Sequence, residues 1–254
     1  MSKAECKQCG GTGWVVSERD GISSAERCSC VEQARVAELD ARAQIPPNYA
    51  QASFETFHLP HDNPTAQRGL ADVMLAVASY ARNYPNNPKP GLLLAGPPGT
   101  GKTHLAVAAL RQLIARGYEG IFFDYQNLLE RIRSGYSETL GTSDREAYRS
   151  ALEAEILLLD DLGAHRVTDW VEDTVTAIVT HRYNHRKALI ATTNLADPDI
   201  GGPLLQKSDL AVGHAYRITL EERIGERARS RLFEMCRIVR MPLVEDYRVK
   251  RMRA

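Results

Sequence analysis

The chain has 254 residues, with 32 Lys+Arg against 32 Asp+Glu, 43% hydrophobic and 25% charged residues. That length fits one large domain or one domain with a small appendage, and the composition excludes a mainly disordered, collagen-like or disulfide-scaffold protein. A formal net charge of zero argues, as an average, against a polyanionic partner, and no apolar run approaches the roughly 18 residues that span a bilayer.

The cysteines come first along the chain. Four of the five fall in the first thirty residues, as Cys6-x2-Cys9 and Cys28-x-Cys30, and Cys236 stands alone far downstream. Charge and cysteines occupy the first fifteen residues, where a secretory signal needs a continuous apolar segment. The expected compartment is a reducing cytoplasm, in which cysteines are thiols or metal ligands rather than disulfides. Cys6-Lys-Gln-Cys9-Gly10-Gly11 has the shape of a zinc knuckle, two thiolates followed by glycine that lets backbone N–H groups approach sulfur. Cys28 and Cys30 would complete a tetrahedral S4 site. Unliganded reduced thiols are the alternative, with a redox pair behind them. A segment of about forty residues with Trp14 as one of its few large apolar groups could hardly fold alone, whereas structural zinc supplies on the order of 10–16 kcal/mol. Helix formers follow over 31–43, and Ile45-Pro46-Pro47-Asn48 cannot continue a helix. The expected division is a zinc-binding N-terminal module with a linker helix, serving partner recognition, over 1–47, and a second domain over 48–254.

Beyond that boundary, short apolar runs alternate with helix-length segments. Strands are expected at 92–95, 120–124, 156–160, 188–193 and 237–241, and helices at 103–116, stopped by Gly117, and 169–183. This alternation, with strands almost continuously apolar, predicts an α/β fold whose parallel sheet is covered on both faces. A polar, turn-rich stretch over 135–144 interrupts the pattern between the second and third strands.

Gly96-Pro97-Pro98-Gly99-Thr100-Gly101-Lys102-Thr103 fits Gly-x4-Gly-Lys-Ser/Thr and sits between an apolar strand and a helix. Glycines let backbone N–H groups converge on phosphates, and the helix start adds its positive end. Lys102 reaches the β- and γ-phosphates, and the Thr103 hydroxyl holds Mg²⁺. The strand at 156–160 ends in Asp160 and Asp161. Asp160 suits Mg²⁺ through water, and Asp161 suits orienting or deprotonating the attacking water. Asp161 is one methylene shorter than the Glu used in strong ATPases, so hydrolysis is slow or the local backbone compensates. Asn194, after the strand at 188–193, is the choice for a polar group between γ-phosphate and water; a plain turn is the other explanation.

His181 and His185 are spaced i, i+4 without the Glu of His-Glu-x-x-His, which reads as exposed helix histidines. Cys236 reads as a small buried side chain. The stretch 125–136 combines Arg131 and Arg133 with Tyr125 and Tyr136, the mixture of cations and aromatics used on single-stranded DNA. A helix packed by Leu128, Leu129 and Ile132 explains it almost as well.

Together, Gly-Pro-Pro-Gly-Thr-Gly-Lys-Thr-His-Leu-Ala at 96–106, Leu-Leu-Leu-Asp-Asp-Leu-Gly at 157–163, Ala-Thr-Thr-Asn at 191–194 and Gly-Glu-Arg-Ala-Arg-Ser-Arg-Leu at 225–232 resemble the AAA+ ATPases of the DnaC/DnaI type. These are bacterial replicative-helicase loaders, close to the IstB-like ATP-binding proteins. The resemblance covers residues 51 to about 250 and implies a P-loop AAA+ three-layer fold with a five-stranded parallel sheet. It implies ATP and Mg²⁺, with the nucleotide held by Gly96, Pro97, Pro98, Gly99, Thr100, Gly101, Lys102, Thr103 and His104. It makes Arg231 an arginine finger for a neighbour's nucleotide and Arg248 a sensor of nucleotide in its own subunit. The thirteen residues after Met241 are too few for the helical lid of many AAA+ proteins, a truncation that resembles the loaders. The partners it implies are a hexameric replicative DNA helicase, contacted by the N-terminal part, single-stranded DNA, contacted by the insertion between second and third strands, and other copies of the chain. No membrane is implied. Two other functions stand beside this one, an IstB-type transposition helper acting on a transposase, and a nucleotide-gated adaptor that does not hydrolyse.

Divided along the chain, the charge is uneven. Residues 144–176 carry nine acids against three arginines, and residues 201–254 carry twelve Lys+Arg against seven acids. Such a subunit could pair with its own copies head to tail, placing Arg231 at a neighbour's phosphate.

Overall fold

The computed structural model describes residues 6–19, 22–134, 143–200, 218–247 and 249. An antiparallel hairpin of β1 (Trp14–Arg19) and β2 (Ile22–Arg27) comes first, with Trp14 opposite Arg27 and Val16 opposite Ala25. Helix α1 (Ser29–Arg42) then lays Val36 and Leu39 against the main core, and the Ala43 carbonyl accepts a hydrogen bond from Phe122 N–H at 2.7 Å. The run of helix formers read at 31–43 is thus docked through its second half, at Val36, Leu39 and Ala43.

Helix α2 (Pro64–Asn83) begins where Pro64 cannot donate and where the Asn63 side chain accepts from Ala66 N–H at 3.0 Å, the arrangement that satisfies a helix start. It buries Leu70, Val73, Val77 and Tyr80, spaced by three and four residues so that they share one face. The chain continues through β3 (Gly91–Ala95), α3 (Lys102–Ala115), β4 (Gly120–Asp124), α4 (Tyr125–Ser134), α5 (Ser143–Glu153), β5 (Ile156–Asp160), α6 (Asp169–Asn184), β6 (Ala188–Thr193), α7 (Leu220–Ile224), α8 (Glu226–Met235) and β7 (Cys236–Arg240).

Strands β3 to β7 form one parallel sheet in the order β4-β5-β6-β3-β7. Successive residues of a strand face opposite sides, and here both sides are apolar. Leu92, Leu94, Phe122, Ile156, Leu158 and Ile190 meet α1, α2 and α3, while Leu93, Phe123, Leu157, Leu159, Leu189 and Ala191 meet α4, α5, α6 and α8. The result is three layers, helix–sheet–helix, as expected of strands read as continuous apolar runs. Among the described residues no helix is long and apolar enough to cross a membrane.

Strand order brings two distant segments together. β6 lies between β3, which carries the phosphate loop at its end, and β5, which ends in Asp160. The phosphate loop and Asp160 therefore open on the same edge of the sheet, the carboxyl ends of the strands, where α/β folds place ligands.

Candidate nucleotide and metal sites

Immediately after β3 the chain turns through Gly99 and Gly101, whose φ values are +71° and +90°, a left-handed region that costs glycine little. A Cβ at Gly99 would overlap the Asp246 carboxylate, and one at Gly101 would meet the Phe57 ring at 2.5 Å. Gly101 is also the N-cap of α3, and no side chain caps this helix, in contrast to Asn63 on α2 and Thr168 on α6. The first-turn N–H groups of α3 are thus left to an anion. Lys102 is only 6% exposed, and its Nζ donates to the carbonyls of Gly96 and Pro97 at 2.9 and 2.8 Å. The ammonium is folded over the loop it belongs to. Thr100 tightens the turn by donating to Pro97 O at 2.9 Å.

Asp160 lies next to this loop, although it is far away in sequence. Its Oδ1 accepts from the Thr103 hydroxyl at 2.9 Å and from the Thr192 hydroxyl at 2.6 Å. Burial pushes the Asp160 carboxyl above the usual range, and the neighbouring Asp161 and Asp124 add to this, against the two hydroxyl donors. Two hard oxygen donors, the Thr103 hydroxyl and a carboxylate, in direct contact suit Mg²⁺. Asp161, the next residue, sits at φ +54° and its N–H donates to Thr192 Oγ1 at 2.9 Å. The turn is then closed by Leu162 N–H on Thr192 O at 2.8 Å and by the Thr193 hydroxyl on Leu162 O at 2.9 Å. Asn194 follows β6 on the same side and is exposed.

Among the described residues, Arg231, Tyr125, Arg131, His181 and His185 find their partners elsewhere. Arg231, on α8, donates to the Arg227 carbonyl one turn back at 3.1 Å. Its neighbour Arg229 is committed elsewhere, in a bidentate pair with buried Asp197 at 2.6 and 2.7 Å and in a second pair with Asp199. Arg248 lies outside the described residues, as do Tyr136 and most of the polar stretch before α5. Tyr125 is buried among Leu128, Leu129 and Ile132, so its ring presents no face to a base. Arg131 is held by Gln44 Oε1 at 3.3 Å and by the Phe123 ring, leaving Arg133 exposed. His185 is exposed as expected, but His181 is partly buried, stacks on it at 4.1 Å and reaches Glu153 at 3.3 Å. Cys236 is fully buried.

Two further walls flank the phosphate loop, one at His104 within the 96–106 run and one from a C-terminal segment that carries no motif. His104 places Nε2 2.8 Å from Ser53 O and packs on Phe57 with ring centroids 5.5 Å apart. On the other side the segment after β7 runs back over the loop: Met241 N–H donates to Ala95 O at 2.8 Å and Tyr247 N–H to Gly99 O at 3.1 Å. The Tyr247 ring lies 5.5 Å from that of His58. A lone histidine and a tyrosine nearly two hundred positions apart give no local signal.

Beneath the N-terminal hairpin the four cysteines converge, with all sulfurs within 4.8 Å of one another. Cys6 and Cys28 sulfurs are 3.7 Å apart, and those of Cys9 and Cys30 3.5 Å, far beyond the roughly 2.05 Å of a disulfide. Ligands at about 2.3 Å around a tetrahedral zinc stand about 3.8 Å from each other, so the donor set and its spacing fit that ion. Gly10 and Gly11 adopt positive φ, and Gly13 N–H donates to Cys9 Sγ at 3.3 Å. Burial opposes ionisation of Cys9, yet the Gly13 N–H and the Cys30 and Cys6 thiols hold it at about 6; Cys30 is pushed up to about 12 by burial and by its sulfur neighbours. Cys9 is thus the readier thiolate of this pair, and a bound cation would favour ionisation of Cys30.

A model of the family described as IstB-like ATP binding protein matches residues 24–212. The chain belongs to this family. As an IstB-like protein it is 25% identical to the phage-like element PBSX protein XkdC of Bacillus subtilis, across 92% of this chain and 80% of that protein. It is also 25% identical to the replicative helicase loader DnaC of Buchnera aphidicola, over 61% of this chain and 60% of that loader. Among solved structures, that of a DnaC helicase loader superposes with a TM-score of 0.59 at 32% identity, covering 78% of this chain and all of that one. Domain III of the Thermotoga maritima replication initiation protein DnaA shares the fold, with a TM-score of 0.56 at 19% identity, over 79% of this chain and 70% of that one. This IstB-like chain is therefore an AAA+ ATPase of the DnaC/DnaI group.

Proposed function

We propose that this ATPase is a replicative DNA helicase loader, binding ATP with Mg²⁺, assembling head to tail, engaging single-stranded DNA and delivering a hexameric helicase. The observation that carries the loader role is the 32% identity to a DnaC helicase loader over the whole of that solved chain. Residues 1–47 serve as the partner-recognition module and residues 48–254 as the ATPase domain.

Within the nucleotide site, the uncapped start of α3 and the loop from Gly96 to Thr103 receive the phosphates, and Lys102 exchanges its two carbonyl acceptors for phosphate oxygens. Thr103 and Asp160 hold Mg²⁺, which when bound neutralises phosphate charge and polarises the reacting phosphoryl group. Asp161 orients water and accepts its proton, from a backbone position fixed by Thr192. Asn194 reaches the γ-phosphate side from the end of β6. Arg231, partly exposed on α8, acts on the nucleotide of the neighbouring copy, which makes hydrolysis slow in the single chain and faster on assembly. Cys6, Cys9, Cys28 and Cys30 hold zinc, which supplies structure to the hairpin and no chemistry.

The deciding experiment is a pull-down of the host's replicative helicase by the full chain with and without ATP. Capture that depends on nucleotide is expected, and failure to bind in both states sinks the loader role while leaving the ATPase standing.

A further inference from the structure

We infer that Thr192 is a positioning residue that holds the metal-side carboxylate and the turn after it as one unit; this rests on the proposed nucleotide site. Thr192 is 0% exposed, in β6 between the phosphate-loop strand and the Asp160 strand. A hydroxyl carries one proton and two lone pairs, and here both functions are used on consecutive residues. The hydrogen goes to Asp160 Oδ1 at 2.6 Å and a lone pair takes Asp161 N–H at 2.9 Å. The backbone of the same residue takes Leu162 N–H.

Asp160 Oδ1 has a second hydroxyl donor, Thr103, but the two are not equivalent. Thr103 is itself assigned to the ion, so its hydroxyl is shared between carboxylate and ligand. Thr192 is sealed from solvent, and its hydroxyl hydrogen is committed to Asp160 alone. Orientation of the carboxylate therefore depends on Thr192, as does the left-handed turn that aims Asp161. Outer partners of metal ligands commonly matter nearly as much as the ligands.

Thr192→Val keeps shape and removes both hydrogen bonds, and Thr192→Ser keeps the hydroxyl. In the full chain, metal-free binding of a fluorescent ATP analogue is expected to be unchanged in both. Mn²⁺ affinity, read by electron paramagnetic resonance with a non-hydrolysable ATP analogue present, should weaken on the order of 10-fold in Thr192→Val, with a matching fall in kcat. The KM for metal-bound ATP rises by a similar factor, as the binding cycle requires, and Thr192→Ser restores Mn²⁺ affinity. Wild-type Mn²⁺ affinity in Thr192→Val, or equal impairment in Thr192→Ser, overturns the inference. If Thr192→Val does not fold, Thr192→Ala takes its place, and Mn²⁺ affinity in that variant equal to that of Thr192→Ser overturns the inference as well. A wild-type chain that takes up no nucleotide would instead overturn the nucleotide site itself, before any substitution is compared.

Discussion

Thr103 donates its hydroxyl hydrogen to Asp160 at 2.9 Å across 57 residues of sequence. One partner opens the helix behind the phosphate loop, and the other closes a strand two places away in the sheet. The contact joins the element that receives phosphate to the element that offers a carboxylate. Parallel pairing through β6 sets the separation, because registers Ala95 with Thr193 and Leu159 with Ala191 bring both strand ends level.

Lys102→Ala should abolish most nucleotide binding without unfolding the chain. Charge-assisted hydrogen bonds contribute about 1.5–3 kcal/mol each, so ATP affinity should fall by at least about 10- to 100-fold. Titration calorimetry of wild type and variant decides it, and near-equal affinities would remove Lys102 from the site.

Protein purified without chelator should contain close to one zinc per chain, and less than about 0.3 would count against the cysteine site. In a Trp170→Phe background, Trp14 on β1 reports the hairpin alone. Stripping the metal, or substituting Cys9→Ser, should change its emission while the far-ultraviolet signal of the ATPase sheet persists. An unaltered Trp14 spectrum after complete metal removal would mean that the hairpin holds itself together.

Arg231→Ala is expected to leave ATP binding intact and to remove most of the hydrolysis gained on assembly. An arginine supplied in trans contributes about 10³- to 10⁵-fold. Turnover measured against protein concentration separates the cases, since a variant whose rate still climbs like the wild type retains its finger elsewhere.

Arg182 has a structural task. It is 0% exposed and donates to the carbonyls of Ala151, Leu152, Ala154, Glu155 and Ala188, stitching the end of α5 to the starts of β5 and β6. Burial lowers its pKa to about 10, so it stays charged at neutral pH. Arg182→Leu strands these carbonyls and should lower unfolding free energy by about 2–4 kcal/mol in urea titrations. A loss below about 1 kcal/mol would show that the carbonyls find other partners.

The strand segments, the parallel α/β class and the phosphate-loop pattern were legible in the sequence because each depends on neighbours within a few residues. Apolar runs make buried strands, glycines permit positive φ, and a lysine after Gly-Thr-Gly stands at a helix start. The paired cysteines were legible for the same reason, as two short spacings. Hairpin β1–β2 went unread because Ser, Glu and Arg fill most of its positions beyond Trp14–Val16, and helix α2 went unread although Leu70, Val73, Val77 and Tyr80 recur at helical spacing. Thr103 and Asp160 were already assigned to one ion from their motifs, but strand order, and with it the part of Thr192 between Asp160 and Asp161, was decided only by the tertiary structure. So was the passage of Asp246 and Tyr247 across Gly99, and the commitment of Arg229 to Asp197. Each of these joins residues that share no local pattern, and it is sheet pairing and the packing of two apolar faces that choose which distant side chains become neighbours.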